Sequence, residues 1–346
     1  MILYRSIIWL SLTTLLAGWP LVEPAWAQLK PVIDQQVAAY QPLVPVSGTL
    51  SIGGSDTMQP IVEAWTEELQ RRHKELKVKI KAAGSETGLA ALLEHRAQVA
   101  AMSRRMTAVE IAEFVREYGY EPAEVPVAVD ALAVFVHKDN PIPGLSLDEL
   151  DSMFCNQRRR GLQYAADEWG LVGLTDEWFP EPIRIYGRNG TSGTSQFFRE
   201  EVCKGGTFRS HFIKGAGSAA VILDLEKDRL GIGFSAIGYK TSGVRAVPVA
   251  AVKGGRYVEP SFQTAMDGSY PLRRNLYLYF DKNPKGSPLP VLAELARFAL
   301  SVQGQQIVVD QGYFPLPSAE IARLIAKWVP APVKAAVAPS MQNPPN

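Results

Sequence analysis

Residues 183–202 read IRIYGRNGTSGTSQFFREEV, and this stretch decides what kind of fold the chain builds. Ile183 to Tyr186 has the alternation of a strand, and Gln196 to Val202 reads as a helix. The ten residues from Tyr186 to Ser195 hold one arginine, three glycines and four Ser/Thr hydroxyls. Glycine frees the backbone to turn and lets another group come close. Hydroxyls donate hydrogen bonds, and a helix start exposes N–H groups with a partial positive charge. Strand, glycine-rich turn and helix in that order predict a layered α/β unit whose turn cradles a compact anion. A Ser/Gly-rich surface loop with an N-cap is the other reading of these letters, and one segment alone does not separate the two.

Working outward, the same pattern recurs three times. Thr49 to Ile52 is strand-like, GGSDTMQP follows, and a helix with Ile61, Trp65 and Leu69 at i, i+4 comes next. Val78 to Lys81 leads into AAGSETG and the helical LAALLEH. Val99 to Met102 leads into SRRM, after which Thr107 to Glu110 is a capping box. In open α/β sheets such loops converge at the carboxyl ends of the strands. Together the four loops supply Ser55, Thr57, Ser85, Thr87, Ser103, Thr191, Ser192 and Thr194, with Arg104, Arg105 and Arg188 beside them.

The rest of the chain continues the alternation. Ala131 to Val136 reads as a buried strand and Ser146 to Glu149 as a second capping box. Gly215 to Ser218 opens a helix that leads to the strand GIGFSAIGY, and helices are expected over 290–302 and 303–311 with Gly312 as a C-terminal cap. No repeat of 20–50 residues is present. The first 27 residues have a lone Arg5, an apolar core from Ile7 to Leu16 and Ala25-Trp26-Ala27, which predicts a secretory signal cleaved after Ala27. Residues 28–47 are a lead-in segment, and the Pro/Ala-rich end from Val329 is expected to be disordered.

Composition narrows the function. With 36 basic and 35 acidic residues, the chain has no charge excess that would favour nucleic acid. Cys155 and Cys203 are the two cysteines, and their spacing does not say whether they pair. No CxxC occurs, and His73, His95, His137 and His211 are dispersed, so neither a metal nor a cofactor is expected. None of the loop serines sits in a GxSxG or SxxK context, and no lysine follows the glycines as a P-loop requires. The expectation is a binding protein and not an enzyme, with a secreted hydrolase as the distant alternative. The Asn189-Gly-Thr191 sequon is read as part of the anion loop.

The segments GGSDTMQPIVEAW, AAGSETGLAALL, VAAMSRRMTAVEI, PVAVDALAVFVHKDNP, IYGRNGTSGTSQFF, GSAAVI, GIGFSAIGY, YPLRRNLYLYF and SVQGQQIVVDQGYFPL together resemble the phosphate-binding proteins of bacterial ABC phosphate transporters. The resemblance runs from about residue 48 to 317 in matching order. It implies a type II periplasmic-binding-protein fold, with two α/β domains joined by two hinge strands and phosphate enclosed between them. Residues 48–131 plus about 272–328 would form the first domain and about 132–271 the second. Carried over by position, Thr57, Met58, Ser85, Ser103, Arg188, Ser192, Gly193 and Thr194 would hold the anion, and Ser55 and Arg104 of the same loops are expected beside them. The partners implied are phosphate and the permease and ATPase of an importer, for a monomer working in the periplasm.

Two departures stand out. One branch of the family has Asp directly after the third-loop serine, where this chain has Arg104, and another Asp where Gly190 stands here. The acceptor for the proton of HPO₄²⁻ must then come from elsewhere, with Asp130 and Asp56 as candidates. For Asp130 the competing reading is a salt bridge to Arg104 or Arg188; for Asp56 it is a helix N-terminal acid. Sulfate, molybdate and tungstate remain rival ligands, since fully deprotonated anions need donors only.

Overall fold

Residues 31–282 and 289–328 are described, from a computed structural model. The expected signal segment with its cleavage after Ala27, the start of the lead-in segment and the Pro/Ala-rich tail lie outside them. In chain order the first part comprises β1 (Gly48–Gly54), α1 (Gln59–Arg72), β2 (Leu76–Ala82), α2 (Ser85–Leu93), β3 (Val99–Met102), α3 (Ala108–Tyr118) and β4 (Ala123–His137). Next come β5 (Leu145–Ser146), α4 (Leu147–Phe154), β6 (Arg184–Arg188), α5 (Gly193–Glu201), β7 (Ile213–Gly215), α6 (Ser218–Leu225) and β8 (Gly231–Ala236). The remainder is β9 (Val244–Val247), β10 (Val249–Ala250), α7 (Phe262–Met266), β11 (Arg273–Phe280), α8 (Pro290–Ala299), α9 (Val302–Asp310) and α10 (Ser318–Trp328).

Among the described residues one sheet runs β2-β1-β3-β11-β4-β8-β6-β7, with β9 also paired to β4. β1, β2 and β3 are parallel, as are β6, β7 and β8. These two parallel sets belong to the two α/β lobes of a type II periplasmic-binding-protein fold. β3 and β8 are buried along their whole length, which is why VAAM and GIGFSA carry no charge.

β4 joins the lobes. From Ala123 to Ala131 it pairs antiparallel with β11, and from Leu132 to Val136 with β8. The chain crosses back just before β11, where Leu132 N donates to Leu272 O at 3.0 Å. The strand starts at Ala123, eight residues before the ALAVFV run suggested, and takes in Pro126. The proline is tolerated at a bulge: Tyr277 faces Pro126 while Leu276 faces Ala128, so the register slips by one at the residue that has no N–H to offer.

Local signals place most helices. Both capping boxes form, Thr107 with Glu110 and Ser146 with Glu149. Ser301 caps α9, its Oγ accepting from Gly304 N at 3.1 Å, and so moves the break expected after Val302 back to Leu300 and Ser301. α10, not anticipated, buries Ile321, Leu324 and Trp328 on one face. Cys155, just after α4, and Cys203, just after α5, are joined in a disulfide with their Cα atoms 5.6 Å apart. Phe198 of α5 stacks on Phe234 of β8 with ring centroids 4.0 Å apart. Disulfide and stack thus both hold the C-terminal half of the helix that begins at the fourth loop. No helix of the described residues is long and apolar enough to cross a membrane.

Candidate functional site

The four loops leave the carboxyl ends of β1, β2, β3 and β6 and meet. Thr57 Oγ1 lies 2.9 Å from Thr194 Oγ1 across the lobes and 3.3 Å from Ser218 Oγ. Ser85 Oγ accepts from Ser103 N at 3.1 Å, and the two hydroxyl oxygens are 3.4 Å apart. Gly193 fits its place because a Cβ there would stand 2.2 Å from Ser85 Oγ and 2.7 Å from Ser103 Oγ. Backbone of the second lobe therefore rests directly on hydroxyls of the first. Thr57, Ser85, Ser103 and Thr194 are fully buried. α2 and α5 begin at Ser85 and Gly193, earlier than the sequence suggests, because each Ser/Gly turn passes straight into the first helical turn. That places first-turn N–H groups, which have no partner within their helix, in the same space.

Arg188 closes the cluster. It is 2% exposed, and its Nη1 donates to Asp56 Oδ2 and, at 3.0 Å, to Ser218 Oγ. Its Nε is buried and has no acceptor among the described residues. Asp56 Oδ2 also accepts from Ser218 N at 3.0 Å and Ser218 Oγ at 2.8 Å. Burial raises the Asp56 pKa, but the Arg188 bond and charge and the two Ser218 bonds outweigh it and hold the carboxyl below its usual value. The loop backbone is pinned from outside: Tyr239 OH donates to Asp56 O and Tyr313 OH to Thr57 O, both at 2.8 Å. The result is a dry cluster of hydroxyls, one guanidinium and helix starts, beside one ionised carboxylate. Such a set takes a small anion rich in acceptor oxygens and carrying one proton.

The structure brings together Thr57, Ser85, Ser103, Arg188, Ser192, Gly193 and Thr194. Ser192 caps α5 through Ser195 N at 3.4 Å. Ser55 is buried beside them with its N–H on Ala101 O at 2.8 Å. The Met58 N–H, expected to face the ligand, closes the turn onto Ser55 O at 3.2 Å. Arg104 and Asp130 are placed differently from expectation. Arg104 makes a two-pronged ion pair with Glu110, both bonds 2.6 Å, and its Nε donates to Gln196 Oε1. Asp130 pairs with neither Arg104 nor Arg188 but with Arg274, across the β4–β11 ladder. Its Oδ1 accepts from Ile237 N at 3.2 Å and its Oδ2 from Arg274 Nε at 2.8 Å.

Ser218 was missed, although Gly215-Ala-Gly-Ser218 carries the same strand–glycine–helix signal as the other loops. Glu86 and Gln196 carried no signal of their own, since each is an ordinary polar residue in a helix. Arg188 and Gly190 also border a cavity of about 540 Å³ whose lining includes Arg199, Arg209 and Lys214, which makes this side of the fourth loop cationic.

Residues 41–303 match the PBP superfamily domain. The chain is 44% identical over 286 residues to the phosphate-binding protein PstS of Pseudomonas aeruginosa, spanning 83% of this chain and 88% of that one. Among solved structures, a possible phosphate-binding protein of Planctomyces limnophilus superposes with a TM-score of 0.60 at 26% identity, covering 82% of this chain and 98% of the other. A putative phosphate ABC transporter substrate-binding protein of Clostridium perfringens, solved with bound phosphate, gives 0.65 at 22% identity over 78% of this chain and all of that one. At that identity it speaks for the fold.

Proposed function

The chain belongs to the PBP superfamily and to the family of the phosphate-binding protein PstS, and from that premise we propose that it binds inorganic phosphate between its lobes and delivers it to an ABC-type importer. The observation that carries this reading is the buried Arg188 Nε without an acceptor among the described residues, set among hydroxyls contributed by both lobes. Residues 48–131 with about 272–328 form one lobe and about 132–271 the other. The anion contacts Thr57, Ser85, Ser103, Arg188, Ser192, Gly193 and Thr194, with Ser55, Met58 and Ser218 shaping the loops. The protein acts as a monomeric periplasmic carrier and not as an enzyme; the cleft hydroxyls bond to one another, to Asp56 and to Arg188. Its partners are the permease and ATPase of the importer.

Roughly eight to twelve hydrogen bonds, at about 1 kcal/mol when neutral and about 1.5–3 when charge-assisted, can offset the desolvation of a divalent anion. Phosphate added to stripped protein is expected to raise the melting temperature, with about 2.7 kcal/mol of stabilisation at a hundredfold excess over Kd. Calorimetry should give one site. If sulfate, molybdate or tungstate shifts the transition and phosphate does not, the phosphate reading is wrong.

Asp56, not Asp130, is the acceptor we assign to the phosphate proton. No hydrogen bond from a described residue reaches Asp56 Oδ1, whereas both oxygens of Asp130 are engaged. An ionised carboxylate bonds the P–O–H of HPO₄²⁻ and repels sulfate. Asp56→Asn is expected to narrow the phosphate-over-sulfate affinity ratio by at least about tenfold, because an amide can turn its NH₂ toward either anion. An unchanged ratio in the folded variant would remove Asp56 from that role.

A further inference from the structure

We propose that Gln196, held between Arg104 and Glu86, is a latch across the lobes that sets how long the anion stays without touching it. The inference rests on the phosphate reading above and concerns three residues that reading leaves unused. Gln196 lies on α5, in the second lobe. Its Oε1 accepts from Arg104 Nε, and its Nε2 donates to Glu86 Oε1 and, at 2.8 Å, to Gly190 O. Arg104 and Glu86 belong to the first lobe, on the β3–α3 loop and on α2. Arg104 is held by its pair with Glu110, which the Thr107 capping box fixes in turn. Gln196 and Arg104 are 7% and 8% exposed, so water competes weakly for the bond between them.

The residue type is specific. A planar amide offers an acceptor at one end and a donor at the other, and here the first meets a guanidinium and the second a carboxylate. Glutamate at 196 would meet Glu86 with like charge, and lysine would do the same to Arg104. The backbone alongside closes in the same sense. Glu86 N donates to Thr191 O at 3.3 Å and Thr191 Oγ1 to Ala83 O at 3.4 Å. Gly84, at φ +112°, lets Thr191 O approach where a Cβ would stand 2.6 Å away.

The consequence is kinetic. Phosphate sits at the first turn of α5, and the latch sits one turn further along the same helix. The lobes cannot part until Gln196 leaves Arg104 and Glu86, so the latch slows release. Because it stabilises the closed form in its own right, it also raises the competent fraction and hence the apparent affinity. Gln196 is thus a positioning residue.

The test is stopped-flow phosphate exchange on the full-length protein, with the melting temperature of stripped protein as a control for folding. In Gln196→Ala the release rate is expected to rise about tenfold and the association rate to stay within about twofold, with Kd weakened by the same tenfold. Glu86→Ala, at an exposed position and therefore safe for folding, should speed release by about threefold. Pairing Gln196→Glu with Glu86→Gln should recover slow release relative to Gln196→Glu alone. Wild-type protein that binds no phosphate overturns the functional reading and the latch together. Wild type that binds, with both alanine variants folded and releasing at the wild-type rate, overturns the latch alone.

Discussion

Arg188→Ala is expected to weaken phosphate binding by about 2–5 kcal/mol, the range for truncating one member of a buried charge-paired contact. The side chain contributes a full positive charge inside a cluster of otherwise neutral donors, and its Nε is buried without an acceptor among the described residues. It also neutralises Asp56. Without it, the anion meets an uncompensated carboxylate in a dry site, which is why the loss exceeds that of a single bond. Arg188→Lys keeps the charge but not the planar fork, and should fall between wild type and alanine. The double variant Arg188→Ala, Asp56→Ala separates repulsion by Asp56 from the lost guanidinium bonds: if repulsion matters, it should bind better than Arg188→Ala alone. Calorimetry on folded protein measures each arm. An unchanged Kd in Arg188→Ala would take the fourth loop out of the site.

Asp130→Asn should act on the fold instead. Asp130 and Arg274 are 0% and 3% exposed, and Arg274 Nη2 stands 2.7 Å from Asp130 Oδ2. The pair joins β4 to β11 next to the point where β4 passes from one lobe to the other, so it holds the crossing strand in register. Breaking a buried pair from one side leaves the other charge uncompensated and costs about 3–5 kcal/mol. Urea unfolding of stripped protein should show this as a lower midpoint with an unchanged slope. Phosphate affinity of the surviving folded protein should stay within about threefold of wild type. The opposite pattern, normal stability with lost discrimination against sulfate, would restore Asp130 as the proton acceptor and withdraw Asp56.

Much of the fold was legible because its punctuation is local. A strand ending in glycine and serine, followed by a helical run, encodes a turn whatever the rest of the chain does, and the capping boxes at Thr107 and Ser146 mark helix starts within four residues. Where local signals competed, the reading slipped. The ALAVFV run places the strand's start at Ala131, yet its pairing runs back to Ala123, and Val127, beside Pro126, is the extra residue of a bulge in β4 that only the register against β11 reveals. Ser301 inside an apolar run looked like interior and is a cap.

The sequence by itself determined the layered α/β class, the four strand–turn–helix loops and their hydroxyls, since each is written within about a dozen consecutive residues. Only the tertiary structure decided which carboxylate meets which arginine. Asp56 and Arg188 are 132 positions apart, and Asp130 and Arg274 are 144 apart; Cys155 and Cys203 meet across 48. The four arginines Arg104, Arg105, Arg188 and Arg274 and the four acids Asp56, Glu86, Glu110 and Asp130, in or near the loops, permit many pairings of equal chemical merit. Which one forms depends on strand order: antiparallel pairing of β11 with β4 sets Arg274 opposite Asp130 and leaves Arg188 to Asp56. The same ordering puts Gln196 between Arg104 and Glu86. A hydrogen bond needs its partners within about 3 Å, and in a chain of this length that proximity is a property of the folded sheet and not of any segment in it.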